Sequence, residues 1–249
     1  SPYIVSIRYS DIALFESISQ NSSTFRLAKS CIEEANDIHV LNEFTGQWIN
    51  EKFQVNYTVI PHGINLPKSK RVTSQNKKII ISCVAEFIPL KKIDWVINAV
   101  KSYKGDADIA LKIVGKGPLQ KKLHVLKGTD SRIQFLGYIP HNEVMEILTE
   151  SHIFAMPSTK ETFGLVYLEA AATHNAIIAF NKYSINGVFE SEKEALFCSG
   201  YIDFKDQLHQ LISDPKLVKN LADNALKKVQ HMSWDSIIKK YNHLYNSIV

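Results

Sequence analysis

Cysteine is scarce in this sequence. Three occur in 249 residues, Cys31, Cys83 and Cys198, far apart and without a CxxC pair. That argues against a disulfide framework and against a structural zinc site, and makes a reducing, cytoplasmic compartment the default. Cys83 lies in the apolar run IIISCVA and reads as a core thiol. No apolar run approaches the ~20 residues of a membrane span, and no signal-peptide pattern is present. The histidines His39, His62, His141, His152 and His174 are scattered with no HExxH, and His124 and His209 fall within helical patterns, so no metal is assigned. No GxSxG occurs, which leaves acyl transfer little support. The single strand-linked Gly-x-Gly, in IVGKGP, lacks the third glycine of a dinucleotide fingerprint, since Pro118, Leu119 and Gln120 follow. It reads as a tight strand-to-helix turn.

Charge of one sign is also modest. The formal net charge is +4 and the pI about 8.8. That is too little to argue for nucleic acid. It fits an anionic small ligand, loose peripheral contact with an acidic membrane surface, or simply a solvated lysine-rich exterior. With 45% hydrophobic and 22% charged residues, the chain has ordinary globular composition and enough apolar material for one large or two small domains.

What is present is an alternation of short β-rich runs with helical patterns, which predicts α/β architecture with parallel sheets. Strands are expected at 3–7, 38–41 and 57–60, with helices at 25–35 and 44–52. The opening PYIVSI reads as a strand already under way, so the expectation is a fragment whose first domain is incomplete. About a hundred further residues would bring that domain to usual size. The polar, proline-containing stretch from about 66 to 77 reads as a linker. A second α/β unit begins at Lys78. Its strands are expected in KIIISCVA, ALKIV, RIQFLG, HIFAMPS and NAIIAF, and its helices over 92–103, 119–126, 141–149 and 164–173. Trp95, Val96, Ala99 and Val100 share one helical face. Three helices, 204–212, 215–228 and 234–248, close the chain, with Trp234 packing the last one down. The expected division is 1–66 (first domain), 67–77 (linker), 78–230 (second domain) and 231–249 (a terminal helix).

The stretch KETFGLVYLEA, residues 160–170, carries the densest chemistry. Glu161 and Glu169 would be a hydrolytic carboxylate pair only if they flanked one bond at roughly 5–10 Å. Eight helical residues separate them by about 12 Å along the axis. Two separate contacts with one long ligand fit better. Between them, Phe163, Gly164 and Leu165 offer amides at a helix start that follows a strand's carboxyl end, a place suited to phosphate. Gly164 allows close approach to the backbone. The structural alternative is capping by Thr162 and a helix-dipole partner in the neighbouring acid. In VAEFIPLKKIDWVINAV, Lys91 and Lys92 precede a helix and could set a point charge on the same phosphates, or form a solvated pair.

These pieces together resemble the group 1 glycosyltransferases, retaining enzymes of the GT-B fold, from about Ile38 to the end. ETFGLVYLEA is similar to the family's E-x7-E segment. YTVIPHGIN is similar to the stretch before its interdomain linker, with His62 where Asn is usual. LKIVGKGP, RIQFLGYIP, HIFAMPS and SWDSIIKKYNHLY follow in the family's order, and PYIVSIRYSD resembles a strand and loop of the acceptor-side domain. The resemblance implies two Rossmann-like domains facing across a cleft, with the terminal helix crossing back to the first. It also implies roles. Glu161 faces the hydroxyls of the donor sugar. Thr162, Phe163, Gly164 and Leu165 line the diphosphate. Lys91 neutralises the leaving group, Glu169 holds the ribose, and Tyr138 and Ile139 lie near the base. Preorganised donors of this kind stabilise a departing diphosphate without a metal.

The chain departs from the family pattern at Ala85-Glu86, where Gly-Arg is usual. It departs at Arg8, where His is usual, and at His174-Asn175-Ala176, where Gly-Thr-Pro often stands. Glu86 near a diphosphate is repulsive unless it points away, and Arg8 could restore part of the lost charge. The function implied is a bacterial, cytoplasmic hexosyltransferase of polysaccharide biosynthesis, possessing no cofactor. It would take a UDP- or GDP-sugar donor and a glycan, lipid-linked or small acceptor, with an option of peripheral contact at the inner membrane face. A catalytically weak nucleotide-sugar-binding protein of the same fold is the alternative, and a sugar-nucleotide epimerase a second.

Overall fold

A computed structural model gives the fold and describes residues 1–67, 78–161, 163–181, 185 and 187–248. The expected linker at 67–77 lies outside the described residues except for Pro67, and so does Thr162.

Two parallel sheets organise the chain. The first has three strands in the order β1 (Ile4–Ile7), β2 (Asp37–Val40) and β3 (Thr58–Val59). Ile4 pairs with Asp37 and His39 with Thr58. The intervening helices are α1 (Tyr9–Ser17), α2 (Ser23–Glu33) and α3 (Glu43–Phe53). Local chemistry fixes two of their starts. The Ser22 hydroxyl accepts from Phe25 N–H at 3.1 Å, and Asn42 Oδ1 accepts from Thr45 N–H at 2.9 Å, each satisfying a first-turn amide. Ile7, Phe15, Phe25, Ile32, Ile38, Val40, Ile49 and Phe53 form this unit's core.

The second sheet has six parallel strands. They are β4 (Ile79–Val84), β5 (Ile109–Val114), β6 (Ile133–Gly137), β7 (Ile153–Met156), β8 (Ala176–Phe180) and β9 (Leu196–Cys198). Their order is β6-β5-β4-β7-β8-β9. The strands are apolar on both faces because helices cover both. The helices are α4 (Ile93–Ser102), α5 (Gln120–Lys127), α6 (His141–Glu150), α7 (Leu165–Ala172), α8 (Tyr201–Ser213) and α9 (Pro215–Val229). On α4, Val96, Ala99 and Val100 are buried, while half-buried Trp95 packs on Phe180, Tyr201 and Phe204. Cys83 is fully buried, and burial pushes its thiol up to about 12. The strand order builds outward from β4 through β5 and β6, then reverses to β7, β8 and β9. The crevice past the carboxyl ends of β4 and β7 is therefore the topological switch point, where open α/β sheets bind ligands.

The last helix, α10 (Trp234–Asn246), packs on the first sheet. Ile237 and Leu244 cluster with Ile60, and Ile4 and Tyr241 pack beside them. Ile64 N–H donates to Met232 C=O at 2.9 Å. A Cβ on Gly63 would come within 2.5 Å of the Trp234 ring, so glycine there is what lets Trp234 lie down. His39 is held by three neighbours. Its Nε2 meets Ile60 C=O at 2.8 Å and the Tyr241 hydroxyl at 3.2 Å, and its Nδ1 meets Ser6 Oγ at 3.0 Å.

Candidate functional site

The strand-end loops of the second sheet are hydrogen-bonded one to the next. Gly115 N–H donates to Gly137 C=O at 2.8 Å, joining the ends of β5 and β6. Phe87 N–H donates to Lys116 C=O and Leu119 N–H to Phe87 C=O, both at 2.9 Å, joining β4 to β5. Thr159 donates to Leu90 C=O through its amide at 2.8 Å and its hydroxyl at 3.2 Å, joining β7 to β4. A continuous floor results, running from Tyr138 past Lys116 and Glu86 to Lys91. The glycines of IVGKGP are explained by this floor rather than by a turn alone. A Cβ on Gly115 (φ +134°) would lie 1.9 Å from the Ala85 carbonyl oxygen, and one on Gly117 would lie 2.7 Å from Phe87 N.

Lys91 ends a 3-10 turn, Pro89–Lys91, and Lys92 (φ 50°) caps α4 in the left-handed region. Lys91 Nζ donates to Glu161 Oε2 across the β4–β7 crevice. The two side chains are only 16% and 14% exposed. A pair this dry is costly to break from one side, because the remaining charge stays desolvated.

The helix start beside them is equally constrained. Gly164 caps α7 with φ +72°, and a Cβ there would meet the Tyr167 ring at 2.6 Å and Glu161 Cγ at 3.0 Å. Tyr167 is fully buried, donates its hydroxyl to Met156 C=O at 2.6 Å, and stands edge-to-face on Phe154. Burial, followed by the Glu161 carboxylate, holds its phenol well above the ordinary value. The first helical bond runs from Tyr167 N–H to Gly164 C=O at 2.9 Å. The amides of Phe163, Gly164 and Leu165 therefore precede the ladder and form the positive end of the helix.

One turn further on, Glu169 is 20% exposed at its side chain and its Oε1 lies 2.9 Å from His141 Nε2. His141 is the first residue of α6. Tyr138 is 74% exposed, with Lys116 Nζ 4.9 Å from its ring centre, while Ile139 is half-buried against the main core. Glu86 is exposed, and it directly precedes Phe87, whose amide donates to Lys116 C=O. Glu161 and Glu169 thus meet different side chains, Lys91 and His141 respectively.

The first unit reaches this site through His62. Its ring meets the buried Phe163 ring edge-to-face at 5.0 Å. Burial, followed by the nearby charges of Arg8 and His39, lowers the His62 pKa. Arg8 caps α1 at the carboxyl end of β1, with its amide donating to Asp11 Oδ2 at 2.7 Å. Burial lowers the His39 pKa and raises that of Tyr241; the Arg8 charge adds to the first shift and opposes the second, so Arg8 lies near both as well as near His62. Among the described residues, no group of three or more His, Cys, Asp or Glu is placed to hold a metal ion.

A family model described as "Glycosyl transferases group 1" matches residues 67–228, well over half of the chain. The chain belongs to the group 1 glycosyl transferases. An uncharacterized glycosyltransferase of Methanocaldococcus jannaschii is 23% identical over 251 residues, covering 99% of this chain and 69% of its own length. The N-acetyl-alpha-D-glucosaminyl L-malate synthase of Bacillus anthracis is 28% identical over 186 residues, covering 71% of this chain and 47% of its own. The crystal structure of Anabaena HepE in complex with UDP superposes with a TM-score of 0.82 at 17% identity, over 99% of this chain and 72% of that one. The chain thus spans between about half and three quarters of the length of these three proteins. Its fold is the GT-B fold of such neighbours.

Three residues of this group 1 chain were given no site role from the sequence, namely His62, Lys116 and His141. Each stands out through a spatial partner, Phe163, Tyr138 and Glu169 respectively. His62 carried the one sequence signal, its departure from the family's asparagine.

Proposed function

We propose that the floor binds a UDP- or GDP-linked sugar along its length and that the protein transfers the hexose, with retention, to a glycan, lipid-linked or small acceptor. The observation that carries this reading is the Lys91–Glu161 pair at the switch point, set beside the amide-bearing start of α7. Lys91 and the amides of Phe163, Gly164 and Leu165 suit a diphosphate. Glu161 suits sugar hydroxyls, Glu169 the ribose, and Tyr138 and Ile139 the base. As the glycosidic bond breaks, the electron pair leaves with the diphosphate, and charge grows where these donors point. Lys91 then exchanges part of its bond to Glu161 for phosphate oxygen, which frees the carboxylate to accept from the sugar. Charge stabilisation by Lys91, the amides and Arg8 is the metal-independent part of the proposal. Work in the cytoplasm at the inner membrane face, in polysaccharide synthesis, accords with the +4 charge. No described helix is long and apolar enough to cross a membrane.

The test is a panel of UDP- and GDP-sugars with the protein, with and without EDTA. Donor hydrolysis or transfer, with the anomeric configuration of the product read by NMR, supports the reading. No turnover and no rise in Tm with any donor overturns it. Glu86 on the floor favours one rival, a protein that binds nucleotide sugars but turns them over poorly. That rival predicts a Tm rise without product, and tighter diphosphate binding by Glu86→Arg.

A further inference from the structure

The donor reading sets a diphosphate on the amides of Phe163, Gly164 and Leu165, and His62 of the first unit stands against the first of them. Its half-buried ring meets the Phe163 ring edge-to-face, with centres 5.0 Å apart. A phenylalanine ring centre lies about 5 Å from its own backbone nitrogen, so the imidazole is within about 10 Å of the Phe163 amide. Among the described residues neither ring nitrogen of His62 has a hydrogen-bond partner, so the ring can take a proton without giving up a bond. His39 differs. It is buried, and both its nitrogens are engaged, Nε2 by Ile60 C=O and the Tyr241 hydroxyl and Nδ1 by Ser6 Oγ. The surroundings of His62 are positive on balance. Arg8 and His39 face it from the first unit, and the positive start of α7 faces it from the second. The Lys91–Glu161 pair beside that start adds one charge of each sign. Burial and the Arg8 charge favour the neutral imidazole.

We propose that His62 is the proton acceptor of the donor site: a proton from solvent enters the imidazole as the diphosphate docks on the start of α7, and the imidazolium then strengthens the hold on the phosphates. A nucleotide sugar brings two negative charges to the amides, and Lys91 offsets one of them. At an effective dielectric of about 20, the remaining charge at about 10 Å, partly screened by salt, favours the protonated ring by about tenfold. Binding therefore tightens about tenfold as pH falls and levels off once the free protein is itself protonated. The first unit thereby acts on the donor through a charge that exists only in the complex. The inference rests on the donor reading given above, and its test separates the two.

The experiment is calorimetric titration of the protein with UDP-glucose, UDP-N-acetylglucosamine and GDP-mannose, whose two phosphates each carry one fixed charge between pH 5.5 and 8. Each titration is repeated in buffers of different ionisation enthalpy, which reads the protons taken up. In the wild-type protein uptake is expected to peak at about half a proton per nucleotide, the amount that a tenfold tightening between pH 8 and 5.5 requires. His62→Asn and His62→Gln, which do not titrate, take up no proton and lose the tenfold change. His39→Gln keeps the uptake. The proposal is overturned if a nucleotide sugar binds the wild-type protein without proton uptake, or if the His62 variants retain the uptake, which would assign the proton to another group. A folded wild-type protein that binds none of the three refutes the donor reading itself.

Discussion

Gly164 is the sharpest place to test whether the start of α7 is built as described. Replacing it with alanine does two separable things. At φ +72° an L-residue in the left-handed region costs about 1–2 kcal/mol. The new methyl also lands 2.6 Å from Tyr167 Cδ2 and 3.0 Å from Glu161 Cγ. Glu161 can shift, but Tyr167 cannot shift cheaply, since it is fully buried and anchored by a 2.6 Å bond to Met156. Overpacking of this kind adds about 1–3 kcal/mol. The total for Gly164→Ala is therefore about 2–5 kcal/mol. Gly137 supplies the control. It has the same φ of +72°, and a Cβ there meets nothing within 4 Å, so Gly137→Ala carries only the backbone cost of about 1–2 kcal/mol. Urea unfolding of the two variants measures the difference. At about 2–4 °C per kcal/mol for a chain of this size, Tm separates them as well. Equal losses in the two variants would refute the claim that Tyr167 is a fixed wall behind Gly164.

Three further outcomes follow from the same geometry. Lys91→Met should lower kcat/KM by about 10²–10³ and destabilise the protein, because it strands Glu161 at 14% exposure. Adding Glu161→Gln should recover stability but not activity, and a double-mutant cycle checks this. His39 and His62 both have folded pKa values below the ordinary histidine value, chiefly through burial. The unfolded chain therefore takes up protons first as pH falls through about 6.5. Stability should be full above that pH and decline below it, and His39→Gln should flatten the decline in a Tm series from pH 8 to 5. An unchanged slope would show that burial of His39 is not the cause. His174 sits at φ +66° with its ring 2.7 Å from Asp223. His174→Gly gains about 0.4–1 kcal/mol of backbone freedom from strain and loses a partly exposed contact worth about 0.2–1 kcal/mol, so chemical unfolding should show little net change. His174→Ala keeps the strain, loses the contact, and should be the less stable of the two.

The parts of this fold that sequence exposes are those where packing is two-sided. IIISCV, IALKIV and AIIAF are buried on both faces, and continuous apolar runs announce them. Helix α1 was not expected. Its N-cap is Arg8 rather than Ser, Thr, Asp or Asn, and Leu14 is exposed between buried Ile12 and Phe15, which blurs the stripe. Strand β9, at three residues, is too short to show a period. The site divides the same way. The amide-bearing helix start after HIFAMPS was legible because a strand, a loop, a glycine and a helix follow in order. The partners of Glu161 and Glu169 were not, because Lys91 and His141 reach them through the strand order of the sheet, which a linear pattern does not carry. The IVGKGP glycines were legible as the strand-to-helix turn between β5 and α5, but their close approach to the backbone after β4 was not, because it depends on the strand order.

His62 shows that the second sheet does not complete this site alone. Its ring comes from the segment after β3 and rests on Phe163, the residue before the cap of α7. An imidazolium there would be desolvated, would face Arg8, and would lie close to the positive end of a helix. All three effects favour the neutral ring, and the first two are those that lower its pKa. The arrival of a diphosphate at the amides would reverse the local sign of charge. On the donor reading proposed above, the first unit would thus contribute a surface whose electrostatics respond to what the second unit binds. The α10 helix and the turn before it keep that surface in place, since Tyr241 holds His39, Trp234 lies on Gly63, and Met232 accepts from Ile64. His62 is separated from Ile64 by Gly63 alone. The terminal helix is therefore structural support for the site even though none of its residues lines the floor.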